Sequence, residues 1–128
     1  MITIIDYGLG NIRSLMNWFK RASIEVNFSN DMSIIESSNV LILPGVGAYE
    51  DAMKKLEEKN LVEALKSHVR KNKPLVGICL GMQLLYESSM EGGYFKGLGF
   101  IPGEIVPFDE NRVKVPQMGW NSICSKDS

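Results

Sequence analysis

Short apolar runs alternate with amphipathic stretches along the first two thirds of the chain. The apolar runs cover residues 2–5, 40–43 and 75–78, with a weaker one around Val26 and Phe28. Stretches with apolar residues at every third or fourth position separate them, at residues 12–19, 48–58, 61–71 and 82–86. Continuously apolar strands that alternate with amphipathic helices are typical of a parallel sheet covered on both faces. The pattern therefore predicts a doubly wound α/β fold with a mostly parallel sheet.

The pattern changes after Ser88. Three short β-like pieces follow at residues 98–101, 104–108 and 113–115, broken by glycine and proline. Neither an internal repeat nor a low-complexity segment divides the chain. Its 128 residues, 45% of them hydrophobic, provide the material for one core. We therefore expect residues 1–128 to form one domain.

Charge and cysteine content disfavour several classes of function. With 14 basic and 15 acidic residues the formal net charge is -1, so nothing indicates binding to nucleic acid or to an anionic membrane. The chain starts with a strand pattern rather than a signal peptide, and no apolar run reaches membrane-spanning length. Two cysteines do not make a disulfide framework, so the reducing cytoplasm is the expected compartment.

Glycine-containing loops follow three of the predicted strands. Residues 8–10 follow the first strand, residues 44–47 the third, and residues 77–81 (GICLG) the fourth. Ligands of doubly wound folds bind beyond the carboxyl ends of the strands, so these loops predict the edge that carries the active site. A dinucleotide site is not favoured, because Arg13 stands where G-x-G-x-x-G requires its third glycine.

Cys79 lies inside a glycine frame, where a predicted strand meets a predicted helix. This arrangement is the thiol version of the nucleophile elbow, in which a sharp turn holds the reactive side chain outward. The start of a helix favours the thiolate, and the backbone N–H of Leu80 can stabilise the oxyanion that forms when a carbonyl is attacked. The alternative for a lone cysteine in an apolar run is a buried structural role.

Three further features are candidates for the same site. The loop at residues 44–47 can supply a second oxyanion donor from its backbone, although a plain turn would explain it too. Gln83 follows Cys79 by four residues on the same predicted helix face and can orient a substrate amide, with an exposed glutamine as the alternative. Glu91, just after that helix, can bind a substrate ammonium, whereas most surface glutamates have no such role.

Two other features have weaker functional interpretations. His68 is the only histidine, but its helix precedes the strand that leads to Cys79, which predicts a surface or boundary position towards the other end of the sheet. Residues 115–121 (VPQMGWN) bring Met118 and Trp120 beside a proline and a glycine. These side chains are typical anchors of protein interfaces, and a buried turn with a core tryptophan is an equal alternative.

Four motifs in this order resemble class I glutamine amidotransferases, and more narrowly the glutaminase subunits of imidazole glycerol phosphate synthases. The motifs are residues 6–11 (DYGLGN), 44–47 (PGVG), 77–83 (GICLGMQ) and 116–121 (PQMGWN). The resemblance implies a flavodoxin-like domain, without cofactor or metal, that hydrolyses glutamine to glutamate and ammonia. The ammonia would pass to a cyclase subunit, a (β/α)8 barrel bound as a heterodimer, in histidine biosynthesis.

The resemblance also implies roles for individual residues. Cys79 would be the nucleophile that forms a glutamyl thioester, and the oxyanion donors would be Val46, Gly47 and Leu80. The positions that match glutamine-contacting residues are Gly45, Gln83 and Glu91. The positions that match the surface facing the partner subunit are Asn11, Pro116, Met118 and Trp120.

The chain departs from this family in two ways. The family's catalytic base and its orienting acid form a His-x-Glu motif, which does not occur in these 128 residues. We therefore expect the chain as given to be a very poor glutaminase, with a C-terminally incomplete sheet that exposes apolar surface. Gln117 stands where the family more often has a histidine. Two alternatives thus stay open: amidation of a surface-polysaccharide sugar, and a non-catalytic module that docks on a barrel partner.

Overall fold

A four-stranded parallel sheet with helices on both faces forms the larger part of the molecule. The computed structural model describes residues 1–126. The strands of this sheet are β1 (Ile2–Ile5), β2 (Asn27–Ser29), β3 (Val40–Leu43) and β4 (Leu75–Gly77), in the order β2-β1-β3-β4. The helices are α1 (Ile12–Arg21), α2 (Met32–Ser37), α3 (Tyr49–Glu58), α4 (Leu61–Arg70) and α5 (Leu80–Gln83). The predicted α/β fold is confirmed.

Side chains alternate between the two faces of this sheet. Ile4 pairs with Ile42 in the register of β1 and β3, and both pack on one face with Phe19 of α1. Their neighbours along the strands, which include Ile5 and Leu43, pack on the opposite face with residues of α2, α3 and α4. Both faces are apolar because both are covered, which explains the uninterrupted hydrophobic runs in the sequence.

One helix was not predicted and another is shorter than predicted. α2 begins at the cap residue Asp31, whose carboxylate accepts hydrogen bonds from the N–H groups of Ser33 and Ile34. The helix predicted for residues 82–86 is wrong, because α5 is a single turn that ends at Gln83. The carbonyl oxygens of the next three residues accept hydrogen bonds from the N–H groups of residues 98–101 instead. This long-range pairing ends the helix and turns the chain into a strand.

A second, three-stranded sheet follows. Its strands are β5 (Tyr86–Ser89), β6 (Phe95–Lys96) and β7 (Ile101–Ile105), in the order β6-β5-β7. The chain was predicted to be β-like after Ser88, and this is confirmed in part. The strand predicted at residues 113–115 is wrong, because residues 106–126 contain neither helix nor strand. Pro107 and Pro116 lack the N–H donor of a strand ladder and interrupt this stretch.

The edge of the main sheet at β4 is open and partly apolar. Within residues 1–126, β4 pairs with β3 on one side and with no strand on the other. Val76 is 47% exposed and Trp18 of α1 is 59% exposed, and both line a groove of about 440 Å³ that runs over Val40 and Ile42. The predicted exposure of apolar surface is confirmed. None of the helices described is both long and apolar enough to cross a membrane.

Candidate active site

Cys79 follows β4 in a tight turn that only glycines at its flanks permit. Its backbone lies at φ 55° and ψ -120°, and its side chain is exposed. A Cβ added at Gly81 would lie 1.9 Å from the carbonyl oxygen of Leu43, and one at Gly77 would lie 2.5 Å from the Cα of Met82. Contacts this short exclude any side chain, so both positions require glycine. The predicted elbow is therefore present, and the alternative of a buried structural cysteine is wrong.

The loop after β3 meets this turn through backbone atoms. The N–H of Ile78 donates to the carbonyl of Leu43 at 2.9 Å. A Cβ on Gly45, which is buried, would lie 2.6 Å from the backbone nitrogen of Gly81. The tip of the loop differs from its base, because Val46 and Gly47 are exposed. The strand order thus brings the loop at residues 44–47 beside the nucleophile.

Backbone donors at this junction are unoccupied. Within the described part of the chain, no hydrogen bond of the protein uses the N–H of Val46, Gly47 or Leu80. An N–H with no partner in the protein can donate to a ligand, and an oxyanion beside a thiol is one such ligand. The geometry is therefore compatible with the predicted oxyanion donors.

A groove of about 400 Å³ joins the loop, the nucleophile and α1. Its lining residues are Asn11, Ser14, Leu15, Trp18, Pro44, Gly45, Val46, Ile78 and Cys79. The side-chain oxygen of Asn11 caps α1 by accepting a hydrogen bond from the N–H of Ser14 at 3.4 Å. Asn11 therefore has a structural role in the helix, in addition to any contact with a partner subunit. The contribution of α1 to this wall was not predicted, although Asn11, Leu15 and Trp18 have helical spacing.

Tyr7 is a buried residue of the site to which no role was assigned from sequence. It lies just after β1, is fully buried, and donates a hydrogen bond from its hydroxyl to the carbonyl of Pro44 at 2.5 Å. Burial raises the pKa of Tyr7, and the nearby charge of the Cys79 thiolate raises it further. A tyrosine just after the carboxyl end of a central strand is the sequence feature that could have indicated this role.

Gln83 and Glu91 do not line the groove. The N–H of Gln83 donates to the carbonyl of Cys79 at 3.3 Å, which places the two residues one turn apart as predicted. The side-chain oxygen of Gln83 is buried without a hydrogen-bond partner within residues 1–126. The predicted position of Glu91 directly after the helix is wrong, because β5 intervenes and Glu91 lies exposed in the turn beyond it.

His68 is remote from the nucleophile, as predicted, but it is not on the surface. It is 4% exposed, and its Nε2 lies 2.9 Å from the carbonyl oxygen of Pro74, just before β4. Cys79 follows the other end of the same strand. Burial lowers the pKa of His68, the hydrogen bond to Pro74 opposes this, and the charges of Lys73 and Lys71 lower it further. The predicted surface or boundary position is wrong, because His68 continues the buried stripe that starts at Leu61.

The predicted interface segment is exposed. Met118 is 86% exposed and the side chain of Trp120 is fully exposed, while Pro116 and Met118 line a shallow pocket with Lys114. The alternative of a buried turn with a core tryptophan is therefore wrong. Within residues 1–126, no group of three or more His, Cys, Asp or Glu side chains is arranged to hold a metal ion.

The chain is similar to known proteins over nearly its whole length. The sequence profile of the family described as class-I glutamine amidotransferase matches residues 3–128. The imidazole glycerol phosphate synthase subunits HisH of Sulfurimonas denitrificans and Aquifex aeolicus are 46% and 48% identical to it over 131 and 124 residues. These alignments cover 99% and 96% of this chain but 63% and 59% of the relatives, so the chain spans about three fifths of their length.

A solved structure has the same fold. It is a crystal structure of a glutamine amidotransferase, with a TM-score of 0.70 and 21% sequence identity. The match covers 82% of this chain and 55% of the solved one. At this identity the likeness concerns the arrangement of strands and helices alone.

Proposed function

This chain belongs to the class I glutamine amidotransferase family, and on that premise we propose that it is the glutaminase part of an imidazole glycerol phosphate synthase. Its product ammonia would be used by a cyclase subunit in histidine biosynthesis. The relatives named as subunits of that synthase support this choice, since they are 46% and 48% identical to the chain. The observation that carries the proposal is the exposed thiol of Cys79 held against the loop at residues 44–47.

The proposed chemistry is acyl transfer through a thioester. The sulfur of Cys79 attacks the side-chain carbonyl carbon of glutamine, forming a C–S bond and moving the carbonyl electrons to oxygen. The N–H groups of Leu80 and of Val46 or Gly47 stabilise this oxyanion, because they have no partner within residues 1–126. The proton given up by the thiol of Cys79 passes to the nitrogen, and collapse of the adduct breaks the C–N bond and releases ammonia. Water then hydrolyses the thioester and releases glutamate.

The substrate contacts are a further part of the proposal. Gly45 would contact the substrate through its backbone in the wall of the groove, Gln83 would hydrogen-bond the glutamine amide, and Glu91 would pair with its ammonium. The side-chain oxygen of Gln83 has no hydrogen-bond partner within residues 1–126, but it is buried and outside the groove, so this contact requires the side chain to turn towards Cys79. The exposed position of Glu91 beyond β5 means that it must reach the substrate from the second sheet.

We propose that residues 1–128 alone hydrolyse glutamine poorly. Proton transfer to the departing amine needs an acid near the sulfur, and His68 is the only histidine of the chain. It is buried and bonded to Pro74 at the other end of β4. Cys79 can then form an adduct with a suitable electrophile. Turnover of glutamine is slow, because no histidine within residues 1–126 lies near the sulfur of Cys79 to protonate the leaving nitrogen.

The partner and compartment follow from the same proposal. The cyclase subunit would be a (β/α)8 barrel that forms a heterodimer with this protein, contacting Asn11 and the exposed side chains of Pro116, Met118 and Trp120. A single amidotransferase domain would contain all of these residues. Both cysteines are free, which supports a location in the reducing cytoplasm.

Labelling with a chloromethyl ketone analogue of glutamine tests the nucleophile. The chain is incubated with this reagent, and adducts are counted by intact mass and located by peptide mapping. We expect one adduct, on Cys79, and protection by added glutamine. Cys124 is an internal control, because it is an exposed thiol outside the groove. Equal labelling of both cysteines, or no protection by glutamine, would refute the proposal.

A further inference from the structure

The loop that carries the proposed oxyanion donors is tethered at its base and free at its tip. Val46 and Gly47 are exposed. Within residues 1–126, the hydroxyl of Tyr7 makes the one hydrogen bond that reaches residues 44–47, to the carbonyl oxygen of Pro44. The orientation of the tip therefore depends on how firmly its base is held.

Tyr7 lies where the loop and the nucleophile turn touch. The carbonyl of Pro44 and the N–H of Gly45 belong to one planar peptide group, so a bond to the carbonyl fixes the direction of that whole group. A Cβ on Gly45 would lie 2.9 Å from the Tyr7 hydroxyl and 2.6 Å from the backbone nitrogen of Gly81. Only the two backbone dihedrals of Gly45 separate this fixed peptide from the N–H of Val46.

The hydroxyl of Tyr7 stays protonated near neutral pH, so it remains a hydrogen-bond donor. Its side chain is fully buried, and burial together with the Cys79 thiolate raises its pKa. A raised pKa keeps the proton on the hydroxyl oxygen, where it bonds the carbonyl of Pro44. A buried hydroxyl that loses its acceptor, or a buried carbonyl that loses its donor, is unfavourable. The bond consequently holds the loop in one orientation.

We propose that Tyr7 is a positioning residue that holds the Pro44–Gly45 peptide, and with it the donor loop at residues 44–47, against the turn of Cys79. This inference rests on the proposed glutaminase function. Tyr7 acts through the loop and does not touch the substrate. Its hydroxyl should therefore affect the step in which the oxyanion forms, and not the binding that precedes it.

The test compares Tyr7→Phe with Tyr49→Phe in the whole chain. Tyr49 is an equally buried tyrosine of the same core, but its hydroxyl has no partner within residues 1–126. Each variant is treated with the chloromethyl ketone analogue of glutamine, which forms an oxyanion, and with iodoacetamide, which does not. The first reagent yields a saturating rate and a half-saturation concentration, and thermal unfolding identifies the temperatures at which each variant is folded.

Tyr7→Phe should lower the saturating rate with the ketone by roughly 10- to 100-fold, less than the loss of a whole oxyanion donor. The half-saturation concentration and the iodoacetamide rate should change less than about 2-fold, and Tyr49→Phe should match the unsubstituted chain. An unchanged ketone rate in Tyr7→Phe would overturn the positioning role of Tyr7 but leave the proposed function standing. Equal losses with both reagents would overturn it as well, because they indicate general disruption. If the unsubstituted chain shows no preference for the ketone, the proposed function fails together with this inference.

Discussion

Replacing Cys79 by glycine should make the protein more stable while removing its thiol. The backbone of Cys79 lies at φ 55° and ψ -120°, a region that residues with a Cβ rarely adopt. Such strain costs on the order of 1–3 kcal/mol at a single residue. Its side chain is exposed, so deleting it removes little buried area.

The expected gain is the strain energy less the added entropy of glycine in the unfolded chain. That entropy costs about 0.5–1 kcal/mol, which leaves a net stabilisation of roughly 1 kcal/mol for Cys79→Gly. For a domain of this size, 1 kcal/mol raises the melting temperature by roughly 3–6 °C. Cys79→Ala removes the thiol but keeps the Cβ, so its stability should stay within about 0.5 kcal/mol of the unsubstituted chain.

Thermal and urea unfolding, followed by circular dichroism with reductant present, measure these differences. Asn60→Gly is a matched control, because Asn60 also has a positive φ, 56°, but lies in the left-handed helical region that asparagine tolerates. Its gain should be smaller than that of Cys79→Gly. The strain argument is wrong if Cys79→Gly is no more stable than Cys79→Ala.

Three other predictions concern a buried histidine, a crowded glycine and a helix cap. The pKa of His68 is lowered in the folded protein, so the unfolded chain binds the imidazole proton more tightly. The contribution of His68 to stability should be full above about pH 6.5 and should be lost as the pH falls through the pKa of the folded state. Urea unfolding of His68→Gln across this pH range should lack the loss. Gly81→Ala should cost about 3 kcal/mol, because its Cβ would meet the carbonyl of Leu43, whereas Gly99→Ala meets open space and should lose about 1 kcal/mol in the same assay. Asn11→Ala should lower stability by about 1 kcal/mol, because it removes the cap of α1. Serine can also cap a helix, so Asn11→Ser should keep most of that stability, and equal losses in the two variants would rule out capping.

Continuous apolar runs and long amphipathic helices could be predicted from the sequence. β1 and β3 have the predicted bounds, and α3 and α4 agree within a residue at each end, because burial on both faces and helical periodicity leave strong patterns. α2 was missed because six residues make fewer than two turns, too short for periodicity to stand out. The capping aspartate at its start was the usable signal.

Features that depend on distant partners could not be predicted. The end of α5 is set by hydrogen bonds from residues 98–101, and no local pattern near Gln83 indicates them. The carboxyl-edge loops were found from their glycines, but the strand order that makes β1, β3 and β4 neighbours is a property of the folded sheet. The hydrogen bond from Tyr7 to Pro44 depends on that order and was missed for the same reason.

The meeting of loop and nucleophile turn through main-chain atoms has an evolutionary consequence. The contacts join the carbonyl oxygen of Leu43 to the N–H of Ile78 and to Gly81, and they join Gly45 to the backbone nitrogen of Gly81. Main-chain groups of this kind are the same whatever side chains surround them. Substitutions along the walls of the groove, such as at Leu15 or Trp18, can reshape what it accepts without altering the spacing between sulfur and donors. Selectivity can thus diverge while the main-chain framework of the proposed reaction is inherited unchanged.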